Sequence, residues 1–258
     1  MFHFLSRWFI QIVHWIDFIA ISIIAWLWAF LPESTHGPAY FRVFRSWCQM
    51  FVRALGVRLK LHQNNSQRLP EHYVLIANHP SALEDIGTPS LFPVQSLAKA
   101  GVGNWFIAGK INHAVGTLFV DRKSAESRHA AKQAIIDTLK SGQNMVIYPE
   151  GGCKGRRIAD RFYPGAFDAA MQTGLPVLPV FIHYECQDDF EWQPPYNLVD
   201  MLFRFMRSQN PTANFHVFDP WLAEDFDDAD TFAETARQQY LVWENRYLGM
   251  NRQNNSLT

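Results

Sequence analysis

Five short runs of apolar and β-branched residues recur along the chain: Y-V-L-I-A (73–77), Q-S-L-A (95–98), G-T-L-F-V (116–120), N-M-V-I-Y-P (144–149) and V-L-P-V-F-I-H (177–183). Their length is that of buried strands. Helical stretches separate several of them. The clearest is S-A-E-S-R-H-A-A-K-Q-A-I-I-D-T-L-K-S-G, with Ser124 placed to cap its start and Gly142 just past its end. Another is G-A-F-D-A-A-M-Q-T-G, which leads into the proline-flanked run at 177. Strands alternating with helices predict an α/β domain, a mixed and mostly parallel sheet flanked by helices. Residues 186–248 are expected to add two helices around a strand, F-H-V-F, at 215–218.

The N-terminal region follows another rule. Trp8 to Leu31 is mostly apolar and long enough to span a bilayer if every residue were apolar. At about 100° per residue, however, His3, Arg7, Gln11, His14, Asp17 and Ser22 fall within an arc of about 140°. Over 40–55, Arg42, Arg45, Ser46, Gln49 and Arg53 gather within about 100°, opposite Phe41, Phe44, Trp47, Phe51 and Leu55. L-P-E-S-T-H-G-P between them reads as a turn. This predicts a two-helix hairpin over residues 1–57 lying in the membrane interface, with arginines near anionic headgroups. The polar residues interrupt the apolar run and no small-residue cleavage site follows it, so a cleaved signal peptide is not expected. The α/β domain is then expected over 58–250, and the polar residues 251–258 as a flexible tail.

Composition narrows the function classes. At 258 residues the chain can bury one substantial core. A net charge of -1 gives no bulk reason to expect nucleic acid as a partner. Cys48, Cys153 and Cys186 show no paired spacing, and the histidines are scattered without an H-E-x-x-H, so neither a disulfide framework nor a metal site is expected.

The stretch A-N-H-P-S-A-L-E-D-I (77–86) sets His79 at the end of a strand, with Pro80 suited to the first turn of a following helix. Such junctions are where α/β proteins place their sites. An imidazole serves as general base when a carboxylate holds its other ring nitrogen, and Glu84 or Asp85 could be that carboxylate. Taken alone, a histidine beside an acid is more often structural than catalytic. Two other strands also run into charged ends: G-T-L-F-V-D-R at 116–122, and Y-P-E-G-G-C-K-G-R-R at 148–157. Arg122 and the basic glycine-rich turn suit an anionic headgroup.

The blocks N-H-P-S-A-L-E, G-T-L-F-V-D-R, Y-P-E-G and V-L-P-V resemble, in order and approximate spacing, those of the glycerolipid acyltransferase family that includes the 1-acylglycerol-3-phosphate acyltransferases. The resemblance covers roughly residues 60–185. It implies that His79 is the catalytic base and that Glu84 stands where the family has an aspartate, with Asp85 beside it. It further implies that Lys99, Gly116, Phe119, Asp121, Arg122, Pro149, Glu150, Gly151 and Pro179 occupy family positions, Arg122 being associated with the acceptor's phosphate. After Gly151 the family usually continues with Thr and Arg, where this chain has Gly152 and Cys153; Lys154, Arg156 and Arg157 are candidates for the displaced charge.

The implied reaction moves a fatty acyl chain from coenzyme A or acyl carrier protein to the free hydroxyl of a lysophospholipid. 1-acylglycerol-3-phosphate is the first choice of acceptor and lyso-ornithine lipid an alternative. His79 would take the hydroxyl proton, with backbone N–H groups near Gly151 stabilising the oxyanion. No cofactor is implied beyond the thioester co-substrate, and the expected partners are membrane lipids at the cytoplasmic face of the inner membrane. Two rival readings remain: Cys153 as a nucleophile forming an acyl-enzyme, its basic neighbours lowering its pKa, and a lipid-binding protein without catalysis. The stretch G-N-W-F-I-A-G-K-I (103–111) is not a phosphate loop, having five residues between its glycines and no Ser or Thr after the lysine.

Overall fold

The computed structural model describes residues 2–121 and 123–254. Seven strands form one sheet in the order β1-β7-β6-β2-β5-β3-β4. They are β1 (Arg58–Gln63), β2 (Val74–Ala77), β3 (Val94–Lys99), β4 (Leu118–Val120), β5 (Asn144–Ile147), β6 (Val177–Tyr184) and β7 (Thr212–Val217). All neighbours are parallel except β6 and β7. The expected α/β class and each expected strand are present, and β1 is an addition. Its largely exposed edge position, R-L-K-L-H-Q, leaves only a weak apolar alternation to read.

Burial explains the sheet's place. Every residue of β2, β5, β6 and β7 is buried, so their side chains alternate between two cores. Leu75, Ala77, Leu178 and Val180 face one core, closed by α3 (Glu84–Leu91), α7 (Gln187–Phe190) and α8 (Leu198–Arg207). Val74, Ile76, Val177 and Phe181 face the other, closed by α5 (Ala125–Lys140), α6 (Gly165–Thr173) and α9 (Ala229–Asn254). Helices on both faces of a parallel sheet are the stable way to cover it. Pro179 would leave a gap in β6, because it has no N–H. The hydroxyl of Tyr240 sits there, 2.9 Å from the Ile76 carbonyl oxygen and 3.1 Å from that of Val180, and accepts from Val180 N–H at 3.2 Å.

The helix after His79 starts later than Pro80, at Glu84, and Pro89 lies inside it. Ser124 caps α5 as expected, accepting from Ser127 N–H at 3.1 Å. In α4 (Ala108–Val115), Gly109 has its own reason: a Cβ there would lie 2.4 Å from the Gly103 carbonyl oxygen. α9 continues to Asn254, into the segment expected as a tail, while 255–258 lie outside the described residues.

The N-terminal hairpin pairs α1 (Phe2–Trp28) with α2 (Pro38–Ala54). The side chains of His3 and Arg7 lie outside the described residues. Gln11 and Ser22 turn inward: Gln11 Nε2 donates to the Ala54 carbonyl at 2.9 Å, and Ser22 Oγ accepts from Trp47 Nε1 at 2.8 Å. The apolar side of α1, with Ile12, Ile16, Ile19, Ile23 and Leu27, faces outward and exposed. Its stretch Phe9–Trp28 has a mean hydropathy of 1.8 and is long enough to cross a membrane. A water-facing apolar surface this large marks membrane association.

The arrangement differs from the expected hairpin in α2. Phe44, Trp47 and Leu55 are buried in the body, and Arg45 caps the end of α3, donating to the carbonyls of Pro89 (3.1 Å) and Leu91 (3.3 Å). Unpaired carbonyls at a helix C-terminus attract a cation, so Arg45 serves the protein's own backbone and not a headgroup. Arg42 and Arg53 stay exposed.

Candidate active site

β3, β4 and β5 add to one side of β2 and β6 to the other, so the carboxyl end of β2 is the point at which successive connections diverge. That is where open α/β sheets hold their ligands. The backbone leaves the ladder there because Asn78 replaces it: its carboxamide donates to the Ile182 carbonyl (2.8 Å) and accepts from Ile182 N–H (2.7 Å) on β6. The backbone N–H of His79 is thereby released to Glu150 Oε1 at 2.7 Å, across β5. Glu150 Oε2 accepts from Ala159 N–H at 3.0 Å. Glu150 is therefore a buried bracket that joins the turn after β5 to the histidine's main chain. Burial pushes its carboxyl up to about 7, against the pull of those two N–H bonds.

The imidazole is buried and fixed on three sides. Its Nδ1 lies 2.9 Å from Glu84 Oε2, and its ring stacks on Tyr148 with centroids 4.2 Å apart. Nε2 lies 3.3 Å from Cys153 Sγ. Glu84 is itself held: Oε2 accepts from Ser81 N–H at 2.8 Å, and Oε1 accepts from the Tyr184 hydroxyl. Tyr148 is held in turn, its hydroxyl 2.9 Å from the Glu84 carbonyl and 3.1 Å from Thr88 Oγ1. Asp85 lies on the other side of the ring, 3.9 Å from Nε2 and exposed. Glu84, and not Asp85, is thus the carboxylate on Nδ1; with Nδ1 as donor, Nε2 is left as the base.

Desolvation works to lower the His79 pKa, but its hydrogen bonds to Cys153 and Glu84 and the charge of Asp85 outweigh it, so the ring titrates above the ordinary histidine value. Burial raises the pKa of Glu84, opposed by its bonds to His79. A base must be neutral, so activity should rise with pH through an apparent pKa above about 6.5. Glu84→Gln should move that limb to lower pH and cut kcat on the order of 10²-fold or more. A pH profile of kcat/KM for both proteins checks the shift, and an unmoved limb would detach Glu84 from the base.

The other expected positions share this edge of the sheet without joining the histidine cluster. Lys99 ends β3 beside Val120, and Asp121 follows β4, its carboxylate accepting from Lys123 N–H at 3.0 Å. Among the described residues neither bonds to His79 or Glu84. Arg122 lies outside the described residues. Gly151 is required at its turn, having φ +73° with the Tyr163 ring 2.7 Å from where a Cβ would sit. Its N–H donates to the Tyr148 carbonyl at 3.1 Å. Arg156 is engaged within the protein: Nε donates to Glu191 Oε2 at 2.6 Å, and a terminal nitrogen reaches Glu191 Oε1 (2.8 Å) and Asp188. Lys154 and Arg157 stay exposed at the mouth of a cavity of about 380 Å³ that Trp192 and Gln193 also line.

Sequence reasoning did not find Tyr148, Tyr184 or Glu191. Tyr148 immediately precedes the P-E-G block, which was a signal. Tyr184 and Glu191 are 100 and 35 residues from the groups they hold, Glu84 and Arg156, and nothing local marks them.

A buried base held by a buried carboxylate, at the carboxyl end of a mostly parallel sheet and beside the turn that carries Lys154, Arg156 and Arg157, is a site for proton removal during group transfer. The chain matches the acyltransferase family over residues 58–183, just under half of its length. It is similar to the lyso-ornithine lipid O-acyltransferase of Pseudomonas aeruginosa, 28% identical over 226 residues, 85% of this chain and 84% of that protein. It is also similar to the 1-acyl-sn-glycerol-3-phosphate acyltransferase of Neisseria gonorrhoeae, 30% identical over 118 residues, 45% of this chain and 46% of that one. The fold is shared with the crystal structure of the 1-acyl-sn-glycerophosphate acyltransferase PlsC from Thermotoga maritima. There the TM-score is 0.64 at 15% identity, over 94% of this chain and 96% of the other. This chain is an acyltransferase of the lysophospholipid or glycerolipid kind.

Proposed function

We propose that the protein transfers a fatty acyl group from a thioester, on coenzyme A or acyl carrier protein, to the free hydroxyl of a lysolipid at the cytoplasmic face of the inner membrane. The observation that carries the reading is the oriented imidazole: Glu84 holds Nδ1 at 2.9 Å, which leaves Nε2 to take a proton. A bilayer substrate would reach the site from the membrane on which the outward face of α1 rests. That face continues into exposed Trp105, Phe106 and Ile107, whose segment starts just after Lys99; Trp26 donates to the Phe106 carbonyl at 3.2 Å.

The first acceptor is 1-acylglycerol-3-phosphate, giving phosphatidic acid, with Lys99 and Arg122 as the charges for its phosphate. The engagement of Arg156 by Glu191 and Asp188 favours a second acceptor, lyso-ornithine lipid, which offers no phosphate. The relative with the longer match carries the same name. Membranes bearing the protein, given labelled acyl-CoA or acyl carrier protein, separate the two. Label in phosphatidic acid supports the first, label in ornithine lipid the second, and label in neither removes both.

A further inference from the structure

We propose that Cys153 is a catalytic nucleophile, so that the acyl group passes from the donor to Cys153 and from there to the lysolipid. The inference rests on the acyl transfer proposed above and gives it a covalent intermediate.

Three observations carry it. First, Cys153 Sγ, His79 Nε2, His79 Nδ1 and Glu84 Oε2 form one chain, with contacts of 3.3 Å between sulfur and ring and 2.9 Å between ring and carboxylate. Nucleophile, base and orienting acid stand in the order that activates a thiol or hydroxyl in covalent catalysis. Second, the thiol occupies the base. Its sulfur lies at the nitrogen that would have to receive a proton from the acceptor hydroxyl; at rest its S–H donates to the Ser81 carbonyl at 3.0 Å, and rotation about the Cβ–Sγ bond turns that proton to Nε2, 3.3 Å from the sulfur. An acceptor attacking the donor directly would have to displace this side chain, whereas a two-step transfer uses it. Third, the turn leaves donors beside the sulfur. Gly151 N–H is taken by the Tyr148 carbonyl, but among the described residues nothing accepts from the N–H of Gly152 or of Cys153. A nucleophile's own N–H with a neighbouring one is a common source of oxyanion stabilisation.

The protonation state fits a thiol that reacts only with help. Burial raises the pKa of Cys153, so it rests protonated and His79 takes its proton as the attack proceeds.

In the first half-reaction the Cys153 proton moves to His79 Nε2 and sulfur bonds to the donor carbonyl carbon. The donor's C–S bond then breaks, and its thiol leaves with the proton from His79. In the second, His79 takes the acceptor's hydroxyl proton, the oxygen bonds to the acyl carbon, and the bond to Cys153 breaks as sulfur regains the proton. One thioester is exchanged for another and then for an ester, with no oxidant or further reactant.

The test uses purified full-length protein in phospholipid vesicles with palmitoyl-CoA and palmitoyl-acyl carrier protein, each labelled in the acyl chain, and no acceptor. The expected result is about one acyl group per protein, released by neutral hydroxylamine and located on Cys153 by mass spectrometry. Exchange of labelled coenzyme A or carrier protein into the donor should accompany it. Cys153→Ala should lose the label and the exchange, and lose turnover on the order of 10²-fold or more at an unchanged melting temperature. Cys153→Ser should trap a hydroxylamine-resistant ester. No label and no exchange in the wild type with either donor would overturn the nucleophile, as would a Cys153→Ala variant keeping at least half the turnover. In both cases His79-dependent transfer would still stand. Label on Cys153 without product from any lysolipid would keep the nucleophile and remove the lysolipid function.

Discussion

Replacing His79 by alanine is expected to lower kcat/KM on the order of 10²–10⁴-fold, about 3–5 kcal/mol of transition-state stabilisation, while leaving the protein folded. Each half of that expectation has its own physical basis. The loss follows because, among the described residues, no other imidazole is held by a carboxylate on one of its nitrogens; Asp85 lies 3.9 Å from Nε2, exposed, and does not replace the ring. Folding survives because the bonds that anchor this corner come from the main chain of His79, its N–H to Glu150 and its carbonyl accepting from Lys154 N–H at 3.0 Å. Alanine keeps both. The measurement is steady-state kinetics beside a thermal melt. Activity within tenfold of wild type would remove His79 as the base.

Glu150→Ala is expected to have the opposite balance, a large loss of stability as well as of activity. Truncation leaves the N–H groups of His79 and Ala159 without an acceptor in a buried site. Each orphaned group costs about 1–3 kcal/mol, so the sum is a large fraction of a typical domain's stability. The His79 backbone then loses the bond that sets its position relative to the turn carrying Cys153, and a shift of the base on the order of 1 Å costs about 10²-fold in rate. Glu150→Gln should fall between, because an amide oxygen can accept from one of the two N–H groups while its NH₂ faces the other. Melting temperatures in the order wild type, Glu150→Gln, Glu150→Ala check this. Equal stability of all three would show that Glu150 does not brace the turn.

The parts of this molecule that were legible are those written in local pattern. Buried strands such as V-L-I-A announce themselves because every residue is apolar, and the cap and stop of α5 lie within the helix's own sequence. The edge strand β1 was hidden because only Leu59 and His62 are partly covered, so its composition follows solvent more than the sheet. α1 shows a different limit. Its polar arc is real, but periodicity gives the width of a stripe and not what it faces: here Gln11 and Ser22 bond to α2 beside Trp15 and Phe18, Asp17 is exposed, and much of the apolar side is exposed too. In the site, His79 and Glu84 could be paired from five residues' separation. The engagement of Arg156 by Glu191 and the approach of Cys153 to Nε2 depend on how distant loops fold back, and no spacing encodes them.

The central claim is that this chain makes an ester between an acyl thioester and a lysolipid hydroxyl, and the most direct measurement is product mass. Purified wild-type protein in vesicles should convert labelled acyl-CoA or acyl carrier protein and a lysolipid into the diacylated lipid, releasing one donor thiol for each ester formed. Lysolipid bound to the protein, with neither ester nor thiol appearing in any pairing, would contradict the claim and leave a membrane lipid-binding protein in its place.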